Sequence, residues 1–443
     1  MQQLRRFVQV LFFLVWVDER QAMYAEHMWS PFHWVEDWLI APIAKVRPID
    51  ALMVLILAFA VSKGAFKVAT VRPMKRTLFG ALAVTLLALV YGLSTGGDAR
   101  AAGWQIYLPF SMILASFTIA ATHQTAEHFV GLFKAFVAAG LVHAVWGITF
   151  HILYVKTGLL NPGFDSTHHD SVIWTASVGL LILLALRFPS PRTRLLAVVL
   201  VPMLLVAIQF NNRRLAFVSL IADLLVLYFA LPANRVKRRV QRVALGIVPL
   251  VLLYVAIGWG RTEGIFRPLK SFQTVSVDAD NSTKARRMEN LGLIATANKY
   301  GWVMGSGWGQ KYVEVSGRYN IYFLELWPYV PHNSVLGLFA YTGYVGFMGF
   351  WMVFPMSVFF NTRVAKQSKR PLDQFVSTVA VMQVVSCSNQ WYGDMGSFSI
   401  VTMYTLSSTL AVALRLPIAT GVWSNGGVAR RAAPAAAPVS SGG

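Results

Sequence analysis

The chain of 443 residues contains a single cysteine, Cys387, and only 13% of its residues are charged. One cysteine excludes an intramolecular disulfide and a metal or iron–sulfur site built from several thiolates. We expect Cys387 to be buried as a small apolar residue. The scarcity of charge, with 56% hydrophobic residues and a mean hydropathy of +0.54, excludes an ordinary soluble domain. The composition therefore predicts a protein that lies in a lipid bilayer.

The net charge of +20 does not come from one continuous basic face. The basic residues form short clusters between apolar runs of about 17 to 25 residues, the length that spans a hydrocarbon core. Clusters of this kind orient membrane helices, whereas a nucleic-acid-binding domain concentrates basic residues on one surface. The predicted surroundings are therefore a lipid bilayer and not a nucleic acid.

The apolar runs predict an all-α fold, a polytopic bundle of about 12 transmembrane helices. They are too long, and alternate too little, for the strands of a membrane barrel. The predicted spans are residues 7–17, 48–64, 77–93, 102–121, 129–153, 170–187, 195–210, 214–231, 243–259, 333–359, 373–389 and 396–415.

Lysine and arginine lie mainly in the loops of one side. Four clusters there contain no acidic residue: 63–76, 187–194, 235–242 and 363–370. Under the positive-inside rule this side is the cytoplasm, and both termini are expected on it.

The other side is predicted to carry one large loop, residues 260–332, between the ninth and tenth spans. This loop is too long and too patterned for a simple connector, and we expect it to be helical. The chain then divides into spans 1–9 (1–259), the loop, spans 10–12 (333–415) and a disordered cytoplasmic tail (416–443) rich in Ala, Pro, Gly and Ser.

Two basic clusters lie on the predicted outer side. Arg213 and Arg214 separate two apolar runs, where a guanidinium fork suits a phosphate; the alternative is snorkelling to lipid headgroups. Lys284, Arg286 and Arg287 crowd the start of a predicted helix, where the helix dipole disfavours cations. An anion bound there would relieve the conflict, and the alternative is a solvated basic face.

His332 and Asn333 open the tenth span directly after Pro331. A histidine at this position can act as a general base. Asp394, in the last outer turn, either orients His332 or keeps its loop soluble. The sequence His168-His169-Asp170 lacks the one-face spacing of metal ligands, so we predict no metal site.

The chain resembles the superfamily of O-antigen ligases and O-antigen polymerases in three segments, in their order along the chain and in their location on one side of the membrane. HNSVLGLFAYTGYVG (332–346) is similar to its His-Asn signature at the start of the span after the large loop. NNRRLAF (211–217) is similar to its arginine motif, with Asn-Arg-Arg in place of the commoner Ser-Arg-Gly. RRMENLGLIATANKYGWVMGSG (286–307) is similar to the loop segment that carries a further arginine.

The resemblance implies a multi-pass glycosyltransferase of the bacterial inner membrane, similar to the GT-C class, with its active site facing the periplasm. Such an enzyme moves a glycan from undecaprenyl diphosphate to a hydroxyl of a glycan or lipid A core acceptor, without metal or other cofactor. The absence of an arranged carboxylate pair favours inversion at the anomeric carbon. The implied catalytic residues are His332, Arg213 and Arg287, and the implied diphosphate-binding residues are Arg214, Arg286, Lys284 and Asn333.

Two questions stay open at the level of sequence. A transporter or flippase of polysaccharide or lipid-linked oligosaccharide would use outer arginines only to recruit anionic substrate, and it would have broken helices and charges within the membrane. Asp223 is the main candidate for such a charge. Ligase and polymerase differ in their acceptor. The Asn-Arg-Arg sequence and the large loop, which is basic and relatively short for this superfamily, slightly favour a capsular or exopolysaccharide polymerase.

Overall fold

A computed structural model describes residues 1–18, 33–41, 46–65, 69–158, 168–211, 213–261, 266, 269, 281–315 and 328–425. Within these ranges the chain forms helices and no strand, which confirms the all-α prediction. The main helices are α1 Gln2–Val17, α2 Pro48–Ser62, α3 Arg72–Ser94, α4 Ala99–Thr122, α5 Ala126–Phe150, α6 His168–Arg187, α7 Pro191–Asn211, α8 Arg214–Ala230, α9 Arg235–Gly258, α10 Asn281–Tyr300, α11 Ser334–Trp351, α12 Val353–Gln367, α13 Pro371–Gly393 and α14 Ile400–Ala419.

Eight helical stretches among the described residues are long and apolar enough to cross a membrane. They are α3, α4, α5, α6, α7, α9, α11 with α12, and α14. The structure therefore supports a helical bundle suited to a bilayer, and the count of twelve spans stays a prediction.

The bundle has a buried centre and a lipid-suited periphery. α14 lies at the centre, where Leu410 and Leu414 are fully buried. α9 lies at the periphery and exposes large apolar side chains such as Leu245 and Leu250. Exposure of apolar side chains to water is unfavourable, so a peripheral helix that exposes them is suited to contact with lipid.

The four basic clusters meet at one end of the bundle. The contacts that join them are Arg239 Nη1 to the carbonyl of Leu186 (3.2 Å), Arg187 to Gln374, Arg363 over the ring of Trp423 (5.2 Å) and the amide of Arg72 to Asn425 Oδ1 (2.9 Å). This arrangement agrees with the common side that the sequence predicts for these clusters. The start of α8, the end of α13 and the start of α14 lie at the opposite end.

The predicted span 333–359 is divided into shorter helical pieces. Gly343, with φ 60° and ψ −165°, interrupts α11, and α12 begins after Met352. Backbone hydrogen bonds join the break to residues 302–307: Ser306 N to Ala340 O (3.0 Å), Gly307 N to Tyr341 O (2.8 Å) and Tyr344 N to Trp302 O (2.8 Å). Part of the predicted outer loop is thus built into the bundle.

The C-terminal part is packed further than the sequence predicts. α14 continues to Ala419, and Trp423 packs on Phe360 with ring centroids 5.1 Å apart. Packed structure therefore extends beyond residue 416, the predicted start of the tail. Residues 426–443 of that tail lie outside the described residues.

Candidate functional site

His332 is held by Glu289, which lies on α10. Glu289 Oε2 accepts a hydrogen bond from the His332 amide (3.0 Å), and Oε1 lies 3.2 Å from His332 Nδ1. Because a carboxylate only accepts hydrogen bonds, this contact assigns the ring proton to Nδ1 and leaves Nε2 as an acceptor. The His332 side chain keeps 21% of its surface exposed, whereas that of Glu289 keeps 6%.

A tyrosine hydroxyl is the third hydrogen-bond donor to the Glu289 carboxylate. Tyr312 donates its hydroxyl to Glu289 Oε1 at 3.3 Å, and the Tyr312 ring is buried. The carboxylate therefore has its oxygens occupied by three donors from two segments, which fixes its position between α10 and the start of α11.

The backbone of His332 is anchored at the turn that follows α13, residues 393–395. The amide of Met395 donates to the His332 carbonyl at 2.7 Å. Met395 has φ 54°, a left-handed conformation that is rare outside glycine and marks a constrained turn. The turn therefore helps to fix the backbone position of His332.

Arg286 binds the same turn. Its Nη1 donates to the carbonyl of Gly393 (2.9 Å), and its Nη2 lies 3.6 Å from Asp394 Oδ1. Asp394 is buried and pairs with Arg286, and Glu289 is the carboxylate that contacts the His332 ring. Arg286 bridges α10 to the turn that holds the histidine.

Arg213 and Arg214 begin α8 beside this turn. Arg213 is the N-cap residue of α8. Leu215, in the first turn of that helix, packs against Gly393: a Cβ added to Gly393 would lie 3.1 Å from Leu215 Cδ1. Both arginines are half-buried. The turn 393–395 therefore contacts all three segments that carry the resemblance, 211–217, 286–307 and 332–346.

The remaining predicted site residues are Arg287 and Lys284 on α10 and Asn333 at the start of α11. Arg287 is exposed, on the outer face of α10, and Lys284 is half-buried one turn before it. Asn333 caps α11, since its Oδ1 accepts from the amide of Leu336 at 3.1 Å. Because Oδ1 is engaged in this cap, the side-chain nitrogen of Asn333 is the group that would contact a bound anion.

Three other residues considered in the sequence analysis, Asp170, Asp223 and Cys387, are buried inside the bundle. Asp170 pairs with His143 inside the bundle, whereas the side chain of His168 lies outside the described residues. Asp223 is buried and accepts from Ser386 Oγ at 2.8 Å. Cys387 is buried, as predicted.

Sequence reasoning missed Glu289, although a signal for it existed. It is the single acidic residue of α10, and it follows Arg286 by three positions in a segment otherwise basic at its start. An isolated acid on a basic helix needs a partner, and at the sequence level that partner could not be identified as His332.

The site combines an imidazole with an acceptor nitrogen and several guanidinium groups at one end of a membrane-suited bundle. This combination can remove a proton from a hydroxyl and can stabilise an anionic leaving group. No protein-family model matches the chain, and no curated protein matches it in sequence.

Proposed function

We propose that the chain is an inverting, metal-independent glycosyltransferase of the bacterial inner membrane. It transfers a glycan from undecaprenyl diphosphate to a sugar hydroxyl on the periplasmic side, as an O-antigen or exopolysaccharide ligase or polymerase. The observation that carries the proposal is the double contact of Glu289 with His332 beside the turn that Arg286 and the start of α8 also contact. The resemblance of the three segments to the O-antigen ligase and polymerase superfamily supports the same reading.

In the proposed reaction, His332 Nε2 accepts the proton of the attacking hydroxyl. The oxygen forms a bond to the anomeric carbon while the bond from that carbon to the phosphate oxygen breaks, and the diphosphate leaves with the electron pair. Glu289 holds the ring in the required tautomer and stabilises the imidazolium that forms. A single displacement of this kind inverts the anomeric centre.

The diphosphate needs positive charge where its negative charge develops. In the proposal Arg213 and Arg287 supply it directly, because a guanidinium fork matches two phosphate oxygens. Arg214, Lys284 and the amide of Asn333 add to the binding of the diphosphate. Arg286 extends from α10 to the Gly393 carbonyl, and its guanidinium adds positive charge beside the turn.

The sidedness of the bundle supports a periplasmic site. The four basic clusters gather at the end opposite the turn 393–395, and basic loops favour the cytoplasm. In the proposed orientation both termini are therefore cytoplasmic, and His332 faces the side where lipid-linked glycans are joined to their acceptors.

A second candidate is a transporter or flippase of polysaccharide or lipid-linked oligosaccharide. The break of α11 at Gly343 and the buried carboxylate of Asp223 favour it, since transporters use broken helices and charges within the membrane. Against it, Asp223 is already bound by Ser386, and the transport reading gives no role to the Glu289–His332 contact.

A reconstituted assay separates the two functions. The purified chain in liposomes receives labelled glycan on undecaprenyl diphosphate, a glycan acceptor and a metal chelator. The proposal expects a new glycosidic bond of inverted configuration and release of undecaprenyl diphosphate in equal amount. Movement of the labelled lipid across the bilayer without bond formation would instead establish the transporter.

A further inference from the structure

The start of α9 carries a cluster of cations that takes no part in the proposed chemistry. The first eight residues of this helix, RVKRRVQR, include five cations, and the helix contains no acidic residue. Two of the five attach α9 to the bundle. The Lys237 ammonium lies 5.0 Å from the centroid of the Tyr228 ring. Arg239 Nη1 donates to the Leu186 carbonyl at 3.2 Å. Three arginines of the cluster are left without such a role.

These three arginines, Arg235, Arg238 and Arg242, share one face of α9. Their spacing of three and four residues places them on the same side of a helix. All three are exposed, and none of their guanidinium groups has a hydrogen-bond or ion-pair partner among the residues that the structure describes. Like charges at this spacing repel each other, so an anion bound at the face would be stabilised by all three.

The backbone amides at the start of α9 are already occupied. Asn234 Oδ1 accepts hydrogen bonds from the amides of Val236 (3.0 Å) and Lys237 (3.2 Å). An anion at this face would therefore be held by side chains and not by the helix N-terminus. The paired N–H donors of a guanidinium group match two oxygens of a phosphate, which makes a phosphate the anion of best fit.

The same face of α9 becomes apolar directly after the arginines. Leu245 and Leu252 continue it from Arg242, and they are 73% and 63% exposed. Every residue from 242 to 253 is exposed, and a Cβ added to Gly246 would meet no atom within 4 Å. The helix rises about 15 Å from Arg242 to Leu252, which is half of a hydrocarbon core of about 30 Å. The face thus combines a cationic end with an apolar length that matches one leaflet.

We propose that this face of α9, formed by Arg235, Arg238, Arg242, Leu245 and Leu252, binds an anionic phospholipid. The phosphate lies between the guanidinium groups, and an acyl chain follows the two leucines into the bilayer. In the proposed orientation of the bundle the lipid belongs to the cytoplasmic leaflet, whose anionic lipids attract basic segments beside a span. An acidic protein segment would match the arginines but would leave the leucines uncovered. The binding does not depend on the proposed transfer reaction.

Lipid titration followed by native mass spectrometry measures this binding directly. The purified, delipidated full chain in micelles is titrated with phosphatidylglycerol and, separately, with phosphatidylcholine of the same acyl chains. We expect the wild type to bind phosphatidylglycerol about tenfold or more tightly than phosphatidylcholine. Arg238→Gln/Arg242→Gln should weaken the affinity for phosphatidylglycerol by about thirtyfold, since each cation near the lipid contributes about fivefold. Its affinity for phosphatidylcholine should not change.

Lys366→Gln/Lys369→Gln is the matched control. It also removes two exposed cations at the end of the bundle where the basic clusters meet. The helix that follows these lysines is buried over residues 373–384, so it offers no lipid-facing continuation of the charge. The affinity for phosphatidylglycerol should change by less than about twofold, because salt screens distant charges. Both double variants keep the other cations of their clusters, which preserves the orientation signal.

A second measurement uses the wild type alone and needs no variant. Glycerophosphoglycerol, the headgroup without acyl chains, should bind about tenfold or more weakly than phosphatidylglycerol, because each buried CH₂ group of an acyl chain adds to the affinity. Poly-glutamate, as a probe for an acidic protein partner, should not displace phosphatidylglycerol.

Four results would overturn the inference. Equal affinity of the wild type for the two phospholipids would mean that no charge-selective site exists. An equal response of the two double variants would mean that positive charge acts diffusely and not at this face. Equal binding of the headgroup alone would mean that the leucines take no part. Displacement of the lipid by poly-glutamate would identify an acidic protein segment as the partner.

Discussion

Glu289 and His332 are joined by two hydrogen bonds, one to the amide and one to Nδ1 of the histidine. The first fixes the backbone at the start of α11, and the second fixes the ring and its tautomer. A carboxylate that only neutralised a nearby charge would not need both contacts. The pair therefore has the geometry of an oriented general base.

Replacement of Glu289 by Gln keeps the size of the side chain and removes its charge. We expect kcat to fall by about ten- to hundredfold with little change in donor KM, because the imidazolium formed during the reaction loses its counter-charge. The measurement is kcat and donor KM from initial rates in the reconstituted transfer assay.

Glu314→Gln provides the control for that variant, since Glu314 is an exposed acid of the same outer segment. Its kcat and donor KM should equal those of the wild type. A Glu289→Gln enzyme with unchanged kcat would show that Glu289 has only a structural role.

Arg287 is predicted to bind the diphosphate through its planar fork. Lysine keeps the positive charge but offers a single point of contact, so Arg287→Lys should lose most transfer activity, with donor KM raised by about tenfold or more. The measurement is initial rate against donor concentration at a fixed acceptor concentration.

Arg261→Lys is the matched change at another exposed arginine of the predicted outer side, where the guanidinium lies over the ring of Phe266. Its donor KM should stay at the wild-type value. If Arg287→Lys also kept the wild-type KM, the role of Arg287 at the diphosphate would have to be abandoned.

Gly343 allows the outer segment to enter the bundle. Gly343→Ala would force an L-residue to φ 60° and bring its Cβ to 2.2 Å from the Val303 carbonyl oxygen. We expect the free energy of unfolding to fall by at least about 1–3 kcal/mol, from the backbone strain before the clash is added. Thermal unfolding in detergent measures the change.

Gly80→Ala is the corresponding control in α3, where an added Cβ meets no atom within 4 Å. It should leave the unfolding temperature unchanged or raised, since alanine favours the helix. Equal stability of the two variants would mean that the contact between residues 302–307 and the break is not maintained.

Much of the fold could be predicted because the bilayer imposes its own pattern. A span must be long, apolar and helical, so the runs at 102–121 and 170–187 coincide with α4 and α6. The break at Gly343 has no such signal. It depends on pairing with residues distant in the chain, and a glycine inside an apolar run is compatible with an unbroken helix.

The candidate site could be predicted only in part. His332 and the arginines stand out because ionisable groups are rare beside apolar runs. The role of Glu289 depends on α10 packing beside the start of α11, and the role of Asp394 depends on Arg286 from another segment. Such pairings are set by tertiary structure and leave no local pattern.

The most direct test of the central claim is the transfer rate of His332→Ala in the reconstituted assay, compared at equal amounts of folded protein in the membrane. The general-base role predicts a loss of about 10²- to 10⁴-fold in kcat. A variant that inserts normally and transfers glycan at the wild-type rate would contradict the account.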